Sequence, residues 1–400
     1  MVKSYKIGVL AWEAPGNGRV LTGSGIYLNH LTELANLREN GHGLDLTFIV
    51  PWWRDLRLWR DGYEVFLIGS DGFSKKHPYS KETISSTCKS FADKMLNGNS
   101  HVNLKKFDLV LSNGFGFGEL IARAQHLENI IYISHRPEFL RKSIANKFGV
   151  AQDKERVQRD TELEMKAVRG ANQVITVSNA CKKELVRGYR RRRGDVKVIY
   201  NGVDTSLFKR VNTHSRKKTI FTYVGRNDPE KGVFLLLEGA KDLVEQEHEG
   251  NFELQLITND GGLLQRKIKR LGISPHVRQM RWKKHKNLPK HYSKPTFTII
   301  PSYWESFSYV TAESLSCQTP VITSTAGALP EISNQKVGLS FDTGDKENLV
   351  KQLVRACRYQ ENRVEQMGRE GRERVQRSFS KEKFLQNYLH FLESILYGIS

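Results

Sequence analysis

Two glutamates, Glu305 and Glu313, lie eight positions apart and follow an apolar run that ends at Pro301. The run predicts a strand, the residues around Glu305 a loop, and the residues from Ser308 onward a helix that contains Glu313. A helix N-terminus offers free N–H groups and the positive end of its dipole, which suit a phosphate. Glu305 can accept hydrogen bonds from sugar hydroxyls, and Glu313 from a ribose diol. The segment 301–331 therefore predicts a site for a nucleotide-diphosphate sugar, with solvated glutamates on a surface helix as the alternative.

A second candidate segment follows the apolar run Ile220–Val224 and begins at Gly225, a residue that allows a tight turn. Arg226 and Lys231 place two cations beside a turn between a strand and a helix. Paired cations in such a turn suit a diphosphate. A capped helix start, with Asp228 as the N-cap followed by proline, is the alternative interpretation, and the two are compatible.

The first half of the chain carries two weaker candidates. His135 ends the apolar run Ile130–Ser134, and the ends of parallel strands form the ligand crevice of a doubly wound sheet. A structural histidine is the alternative. Ser24 and Gly25 lie in a Gly-Ser-Gly segment before the first predicted helix, where a flexible turn is the alternative. The segment lacks the G-x-G-x-x-G pattern, so a dinucleotide-binding oxidoreductase is not expected.

Short apolar runs alternate with amphipathic stretches along the chain, which predicts parallel sheets with helices on both faces. The 400 residues allow two domains, and the turn at Asn201-Gly202 marks the predicted boundary. A helix is predicted over Tyr27–Asn40 and another over Phe379–Leu396, whereas Trp52–Lys106 has no clear pattern. The predicted strands are Ile7–Trp12, Leu46–Val50 (closed by Pro51), Leu109–Ser112, Ile130–Ser134, Gln173–Val177, Val196–Tyr200, Ile220–Val224, Glu253–Ile257 and Thr296–Pro301.

The net charge of +20 favours anionic partners, which include nucleic acid, an acidic membrane surface and phosphorylated substrates. The basic run from Lys182 to Arg193 is interpreted either as a solvated helix and loop or as a contact for an anionic membrane or a phosphorylated acceptor. Nucleic acid is not expected as a partner, because no recognition fold accompanies the charge.

Four widely spaced cysteines show neither metal-ligand spacing nor a disulfide framework, which fits a reducing compartment. The N-terminus lacks the pattern of a signal peptide, and no apolar run reaches the ~18 residues of a membrane helix. We therefore expect a cytoplasmic protein, at most peripheral to a membrane.

These motifs resemble those of the retaining glycosyltransferases with the GT-B fold, family 4 (glycosyl transferases group 1). The resemblance is strong over about 172–345, weaker in the first 50 residues and nearly absent over 52–106. It implies two doubly wound, Rossmann-like α/β domains that face a central cleft: an acceptor domain (1–200, with the final helix 381–400) and a donor domain (201–380). The matching residues are Val198–Asp204, Gly225-Arg226, Glu230-Lys231-Gly232, Glu305, Glu313, Thr319-Pro320-Val321 and Pro330-Glu331.

The resemblance also implies a role for each matching residue. Glu305 contacts the donor sugar, Glu313 binds the ribose, and Arg226 and Lys231 neutralise the diphosphate. His135 faces the donor sugar. Further donor contacts, largely through backbone amides, fall to Phe307, Ser308, Tyr309, Val310, Ser24 and Gly25.

The expected reaction transfers a hexosyl unit from a UDP- or GDP-sugar to a hydroxyl of a glycan or lipid-linked acceptor, with retention at the anomeric carbon. The leaving phosphate helps to deprotonate the acceptor, and no metal or other cofactor is expected. A GT-B sugar-nucleotide epimerase or phosphorylase, a catalytically silent subunit and a basic nucleic-acid-binding protein remain as alternatives.

Two departures from the family pattern concern glycines. Ser306-Phe307-Ser308 replaces the usual Gly-Phe-Gly, and Gln318 replaces a common glycine before Thr-Pro. Serine still permits a close backbone approach, but it restricts positive φ. These changes leave the identity of the donor sugar open.

Overall fold

A computed structural model of the chain describes residues 4–12, 23–34, 43–52, 55–60, 63–70, 83–97, 100–211, 218–246, 251–259 and 262–397. The chain divides into two compact units. The first unit takes in the chain up to Ser143, Gln152–Tyr200 and the residues from Leu385 onward. The second unit takes in Ile144–Ala151 and Asn201–Phe384.

The first unit is built on a sheet that has eight strands among the described residues, in the order β3-β4-β2-β1-β5-β6-β7-β8. Neighbouring strands are parallel except for β3, which runs antiparallel to β4 at the edge. The strands are β1 (Ser4–Leu10), β2 (Gly43–Trp52), β3 (Leu56–Arg60), β4 (Tyr63–Gly69), β5 (Leu109–Asn113), β6 (Ile130–Ser134), β7 (Gln173–Thr176) and β8 (Val196–Val198).

Helices lie between most successive strands of this sheet, since parallel strands need a crossover connection. Strands β5 and β6 are buried along their whole length, because apolar side chains occupy both of their faces. The helices described in this half of the chain are α1 (Gly23–Glu33), α2 (Thr83–Leu96), α3 (Gly118–Arg123), α4 (Leu140–Phe148), α5 (Lys154–Gly170) and α6 (Asn179–Tyr189).

The second unit holds a sheet with six described strands, all parallel, in the order β11-β10-β9-β12-β13-β14. The strands are β9 (Thr219–Val224), β10 (Phe252–Thr258), β11 (Val277–Arg281), β12 (Phe297–Ile300), β13 (Val321–Ser324) and β14 (Gly338–Phe341). The helices are α7 (Val233–Gln246), α8 (Leu263–Arg270), α9 (Pro289–Tyr292), α10 (Tyr309–Ser316), α11 (Leu329–Ile332), α12 (Lys346–Cys357) and α13 (Glu361–Ser378).

A final helix, α14 (Lys381–Tyr397), follows α13 directly. From Leu385 onward it packs with the first unit, where the Tyr27 hydroxyl donates to the Tyr388 hydroxyl at 2.7 Å. The ring of Tyr397 meets that of Tyr5 edge to face, with centroids 5.2 Å apart. Aromatic contacts therefore fix this helix to α1 and β1.

The two parallel Rossmann-like sheets predicted from the apolar runs are confirmed, but several details of the prediction were wrong. Strand β1 spans Ser4–Leu10 rather than Ile7–Trp12, because its ladder with β2 begins at polar Ser4. Pro51 lies within β2 and does not close it. The predicted helix over Tyr27–Asn40 is described from Gly23 to Glu33, and residues 35–42 lie outside the described chain.

Candidate functional site

Glu305 and Lys231 form an ion pair in the second unit, where the adjacent strands β9 and β12 end. The Lys231 Nζ donates to Glu305 Oε1 at 2.8 Å, and the Ser302 hydroxyl donates to the same oxygen at 2.8 Å. The Glu305 side chain is 12% exposed and that of Lys231 30% exposed. A half-buried cation and carboxylate thus stand together at the edge of the sheet where ligands of doubly wound folds bind.

The turn that carries Lys231 is pressed against the end of β12. Gly232 has a φ of +70°, and a Cβ at this position would lie 1.9 Å from the carbonyl oxygen of Pro301. The backbone N–H of Tyr303 donates to the carbonyl oxygen of Glu230 at 2.8 Å. Only glycine fits such a close approach in this conformation, so Gly232 sets the position of Lys231.

The loop that carries Glu305 is fixed from its other side by the turn after β13. Gly327 has a φ of +55°, and a Cβ there would lie 2.1 Å from the carbonyl oxygen of Glu305. The Ala328 N–H donates to that carbonyl at 2.8 Å, and the Ser324 hydroxyl donates to the carbonyl of Ser302 at 2.6 Å. Backbone contacts therefore hold the Glu305 carboxylate in place.

Glu313 is 3% exposed, and both of its carboxylate oxygens have partners. The Nε2 of His285 lies 2.6 Å from Oε1, and the Tyr292 hydroxyl donates to Oε2 at 3.0 Å. Burial lowers the pKa of His285, but the hydrogen bond and the charge of Glu313 outweigh burial and raise this pKa above its usual value. The ring of Phe208 packs 4.9 Å from the His285 ring. Glu313, the residue predicted to bind the ribose, is thus held in position by His285 and Tyr292. The sequence analysis did not single out either of these two residues.

Ser308 is the N-cap of α10 and has a φ of +81°, the left-handed region that favours glycine. Its hydroxyl accepts from the N–H of Thr311, so the side chain caps the helix. Phe307 is buried, with the Tyr309 ring 5.3 Å away and the Phe379 ring 5.9 Å away. The serine therefore keeps the backbone form of the glycine that it replaces.

The first turn of α10 also carries Tyr309 and Val310, both partly exposed. The hydroxyl of Tyr309 is itself buried and has no hydrogen-bond partner among the described residues. Burial, and then the charge of Glu313, raise the pKa of this phenol well above its usual value. A buried phenol without a partner is free to donate to a ligand oxygen.

Arg226 is not paired with Glu305. Its Nη2 lies 3.3 Å from Asp228 Oδ2, and its side chain is 59% exposed. Asp228 accepts from the N–H of Glu230 and caps the short 3₁₀ turn Pro229–Lys231, so the predicted N-cap is confirmed. The carbonyl of Arg226 accepts from the Tyr223 hydroxyl at 2.8 Å. The guanidinium therefore stands at the same strand end as Lys231 with room to move.

His135 follows β6 in the first unit. Its Nε2 lies 2.6 Å from Asn113 Oδ1, and its ring meets the Tyr27 ring edge to face at 4.7 Å. Burial lowers the pKa of His135 to about 4, so the ring is neutral at pH 7. With Trp12, Glu138 and other residues it lines a cavity of about 230 Å³. If Nε2 carries the proton toward the Asn113 oxygen, Nδ1 is left as an acceptor.

The other candidates of the first half are described only in part. Ser24 and Gly25 lie in the first turn of α1, and Gly25 is buried. Thr22 and the Ser24 side chain lie outside the described residues.

Glu164 on α5 is a buried carboxylate that the sequence did not mark. It is fully buried and accepts from the hydroxyls of Tyr132, Ser134 and Tyr189 and from the N–H of Glu138. Burial, and then the charge of Glu138, raise the pKa of Glu164 to about 7. Its contacts fix the end of β6 beside His135. It stands on a helix of mixed polarity, where no local pattern in the sequence distinguishes it from a solvated glutamate.

The basic run at α6 is partly used inside the fold. Arg191 donates to the carbonyl oxygens of Val168 and Asn172 at 3.2 and 2.7 Å. Arg187 donates to Glu184 at 2.6 Å. Structural roles thus account for two cations of this run.

Within the described residues, no group of three or more His, Cys, Asp or Glu side chains could hold a metal ion. In the same part of the chain, every helix is too short or too polar to cross a membrane.

Two family models match the chain. Residues 204–374 match "Glycosyl transferases group 1", and residues 56–207 match "Glycosyltransferase Family 4". A D-inositol 3-phosphate glycosyltransferase of Catenulispora acidiphila is 29% identical over 52% of this chain and 55% of its own length. An uncharacterized glycosyltransferase of Methanocaldococcus jannaschii is 24% identical over 83% of both chains. The chain thus spans about half of the first relative and most of the second.

Solved structures resemble the chain over nearly its whole length. A sucrose-phosphate synthase from Thermosynechococcus elongatus superposes with a TM-score of 0.79 at 19% identity, covering 99% of this chain and all of that one. An Anabaena protein crystallised with UDP-glucose superposes with a TM-score of 0.67 at 16% identity, covering 98% of this chain and all of that one. At such identities the likeness establishes the fold.

Proposed function

We propose a function on the premise that this chain belongs to glycosyltransferase family 4, whose members have the GT-B fold, a premise carried by its two family matches and its fold. We infer that it transfers a hexosyl unit from a UDP- or GDP-sugar to a hydroxyl of a glycan or lipid-linked acceptor, with retention. The observation that supports this most directly is the Lys231–Glu305 pair at the carboxyl ends of β9 and β12, beside the N-terminus of α10.

In the proposed complex, Lys231 and Arg226 neutralise the diphosphate. Departure of a nucleoside diphosphate leaves negative charge on the β-phosphate, and preplaced cations stabilise that charge. Lys231 is already fixed by Glu305, whereas the Arg226 guanidinium makes an exposed contact with Asp228. Exchange of that weak contact for a phosphate costs little free energy.

Glu305 and the start of α10 are proposed to hold the donor sugar and its phosphates. The Glu305 Oε1 is shared by Lys231 and Ser302, so the other carboxylate oxygen can accept from a sugar hydroxyl. The amides of residues 307–310 lie at a helix N-terminus, where partial positive charge favours an anion. The Tyr309 hydroxyl adds a donor at this place.

Glu313 is proposed to accept from the ribose diol. Its oxygens hold His285 and Tyr292, and each carboxylate oxygen has a second lone pair. A ribose hydroxyl can therefore join these contacts without breaking them. Replacement of Glu313 by glutamine would leave the His285 ring with a weaker partner and reduce ribose affinity.

Retention is proposed to follow from attack on the face from which the nucleotide leaves. The bond from the anomeric carbon to the β-phosphate oxygen breaks, the bond to the acceptor oxygen forms, and the departing phosphate takes the acceptor proton. His135 is proposed to contact the donor sugar as a neutral ring.

A screen of UDP-, GDP-, ADP- and TDP-sugars by thermal shift tests donor binding. A ligand at 100 times its Kd adds about 2.7 kcal/mol to the free energy of unfolding. We expect a UDP- or GDP-sugar to raise Tm; if no nucleotide sugar did so, the proposal would be wrong.

NMR of the product gives the anomeric configuration, and inversion would contradict the proposed mechanism.

A measurement of nucleoside diphosphate release separates a transferase from an epimerase or a phosphorylase. We expect nucleoside diphosphate release to depend on a hydroxyl acceptor. Release without an acceptor, or only with inorganic phosphate, would favour the alternatives.

We expect EDTA to leave turnover unchanged, because the proposed mechanism uses no metal. A loss of turnover in EDTA that Mg²⁺ restores would refute metal independence.

A further inference from the structure

A long stretch of the second unit carries positive charge without any acid. Residues 261–304 include eleven lysines and arginines and no aspartate or glutamate. Because no acid in the stretch offsets them, these eleven cations correspond to more than half of the net charge of +20. The basic residues are Arg266, Lys267, Lys269, Arg270, Arg278, Arg281, Lys283, Lys284, Lys286, Lys290 and Lys294.

These cations belong to segments that adjoin one another. Strand β11 is the outermost strand of its sheet, α8 leads into it, and the loop 282–288 follows it. Lys267 is paired with Glu238, but Arg281, Lys284, Lys286 and Lys290 are exposed. We call the exposed side chains of Arg281, Trp282, Lys284, Lys286 and Lys290 the basic edge.

Three cations of this region act on a common side chain, that of His291. Burial lowers the pKa of His291, and the next contributions come from the positive charges of Lys283, Lys290 and Lys294. Such mutual repulsion among cations destabilises the fold unless an anion relieves it. A surface that retains it is suited to an anionic partner.

Two exposed apolar side chains accompany the cations. Trp282 is 39% exposed and Leu263 is 47% exposed. Both follow the carboxyl ends of adjacent strands, since Thr258 at the end of β10 pairs with Arg281 at the end of β11. Trp282 comes directly after β11, and Leu263 begins α8 after β10. An exposed indole thus lies in the chain among the cations of the basic edge, and an exposed leucine follows the adjacent strand.

We propose that the basic edge, together with Leu263, docks on an anionic lipid bilayer. Lysine and arginine heads contact lipid phosphates, while tryptophan and leucine enter the boundary between headgroups and acyl chains. Protection of an edge strand against pairing explains charges on β11 itself. It does not explain the run of cations in the loop after β11, nor the exposed apolar pair.

The two exposed apolar side chains, Trp282 and Leu263, distinguish a membrane from nucleic acid as the partner. Tryptophan can stack on a base, but leucine offers no ring for stacking. A contribution of Leu263 to binding is therefore expected for a bilayer and not for single-stranded nucleic acid.

The test is sedimentation of the full chain with vesicles of phosphatidylcholine alone or mixed with phosphatidylglycerol, at low and high salt. We expect binding to the anionic vesicles only, weakened by salt. The variant Lys284→Gln/Lys286→Gln/Lys290→Gln should bind on the order of 100-fold more weakly, since each basic residue near an anionic surface contributes about 1 kcal/mol. Leu263→Ala should bind about fivefold more weakly.

A matched control removes three exposed cations from the first unit, as Lys183→Gln/Arg192→Gln/Arg193→Gln. It changes the net charge by the same amount and should retain vesicle binding within about threefold. Unchanged Tm values establish that each variant is folded. Equal binding to neutral vesicles, equal losses in both triple variants, or binding to a single-stranded RNA without binding to vesicles would overturn the proposal. Because no nucleotide sugar enters the assay, its outcome is independent of the proposed transferase activity.

Discussion

At the scale of single residues, the candidate site depends on side chains that hydrogen bonds and ion pairs fix in position. Lys231 and Ser302 share one oxygen of Glu305, and His285 and Tyr292 take one oxygen each of Glu313. Charge-assisted hydrogen bonds of this kind are stronger than neutral ones. The site is thus preorganised before any ligand binds.

The His285–Glu313 pair makes a pH-dependent contribution to stability. The pKa of His285 is raised in the folded chain, so the folded chain holds a proton that the unfolded chain releases above its lower pKa. The contribution is complete below the unfolded pKa of about 6.5 and is lost as pH rises through the raised value. We expect the free energy of unfolding of wild type, relative to His285→Gln, to fall across this window in urea titrations.

The difference in the free energy of unfolding between wild type and His285→Gln removes the contributions of other titrating groups. His135 has a lowered pKa of about 4, and its contribution has the opposite sign, because it is lost as pH falls below about 6.5. His135 is present in both proteins and does not affect the comparison. A constant difference between wild type and His285→Gln from pH 5.5 to 8.5 would contradict the ion pair.

The substitution Gln318→Gly tests the effect of having glutamine where the family commonly has glycine. The φ of Gln318, +60°, lies in the left-handed region, which costs a residue with a side chain about 1–2 kcal/mol. We expect Gln318→Gly to raise the free energy of unfolding by up to about 1 kcal/mol, because the relief of strain exceeds the added freedom of the unfolded chain. Chemical denaturation measures this change.

Gln360 supplies the matched control for that substitution. Its φ is −68°, and its side chain makes no capping bond. Gln360→Gly has no strain to relieve and is expected to leave stability unchanged or to lower it slightly. If both variants lost stability equally, the strain assigned to Gln318 would be absent.

At the scale of elements, the site exists because β9 and β12 are neighbours whose carboxyl ends share one edge of the sheet. The turns after β9, β12 and β13 then meet through backbone contacts at Gly232 and Gly327. Glycine at both points lets three loops approach closely. The rigidity of the Glu305 loop is a property of this packing and not of one residue.

Gly232→Ala tests that packing. The new Cβ would meet the Pro301 carbonyl at 1.9 Å, so the turn that carries Lys231 must shift. Gly272 has nearly the same φ, +71°, but nothing lies within 4 Å of its Cβ position. We expect Gly272→Ala to cost about 1–2 kcal/mol through backbone strain alone, and Gly232→Ala to cost more and to weaken nucleotide binding. Equal costs for both variants in denaturation experiments would show that the close contact is unimportant.

The apolar runs predicted most strands of both sheets, because buried parallel strands leave continuous hydrophobic segments. Strands β3, β4, β11 and β14 were missed. Strand β3 lies at a sheet edge, with Leu58 and Trp59 exposed, and pairs with β4 through a hairpin that apolar runs do not signal. Strand β8 ends at Val198, although its apolar run reaches Tyr200.

The site could be predicted where its residues follow strands, and less well where they come from elsewhere. Glu305, Lys231 and Glu313 stand in recognisable segments, and the structure brings the first two together. His285 and Glu164 reach their partners through the fold, across 28 and 30 positions in the chain, so no local pattern announces them. Long-range partners of this kind require the tertiary structure.

At the scale of the whole molecule, the positive charge is not spread evenly. Residues 261–304 carry a dense share of it in the second unit, while part of the basic run of the first unit serves internal contacts. Cations near the donor site also attract anionic ligands over a distance, an effect that salt screens. We expect the association rate of a nucleotide sugar to fall as ionic strength rises, which stopped-flow measurements can follow; a rate independent of salt would contradict such steering.

The central claim is that the second unit binds the donor's diphosphate through Lys231. Calorimetric titration of UDP and GDP into wild type and Lys231→Ala tests it directly. The variant Lys241→Ala serves as control, since Lys241 is partly exposed and pairs with Glu245 on α7. Loss of one charge-assisted contact is expected to weaken the Kd about 10- to 100-fold in Lys231→Ala and to leave Lys241→Ala unchanged. Wild-type affinity in Lys231→Ala, or equal losses in both variants, would contradict the account.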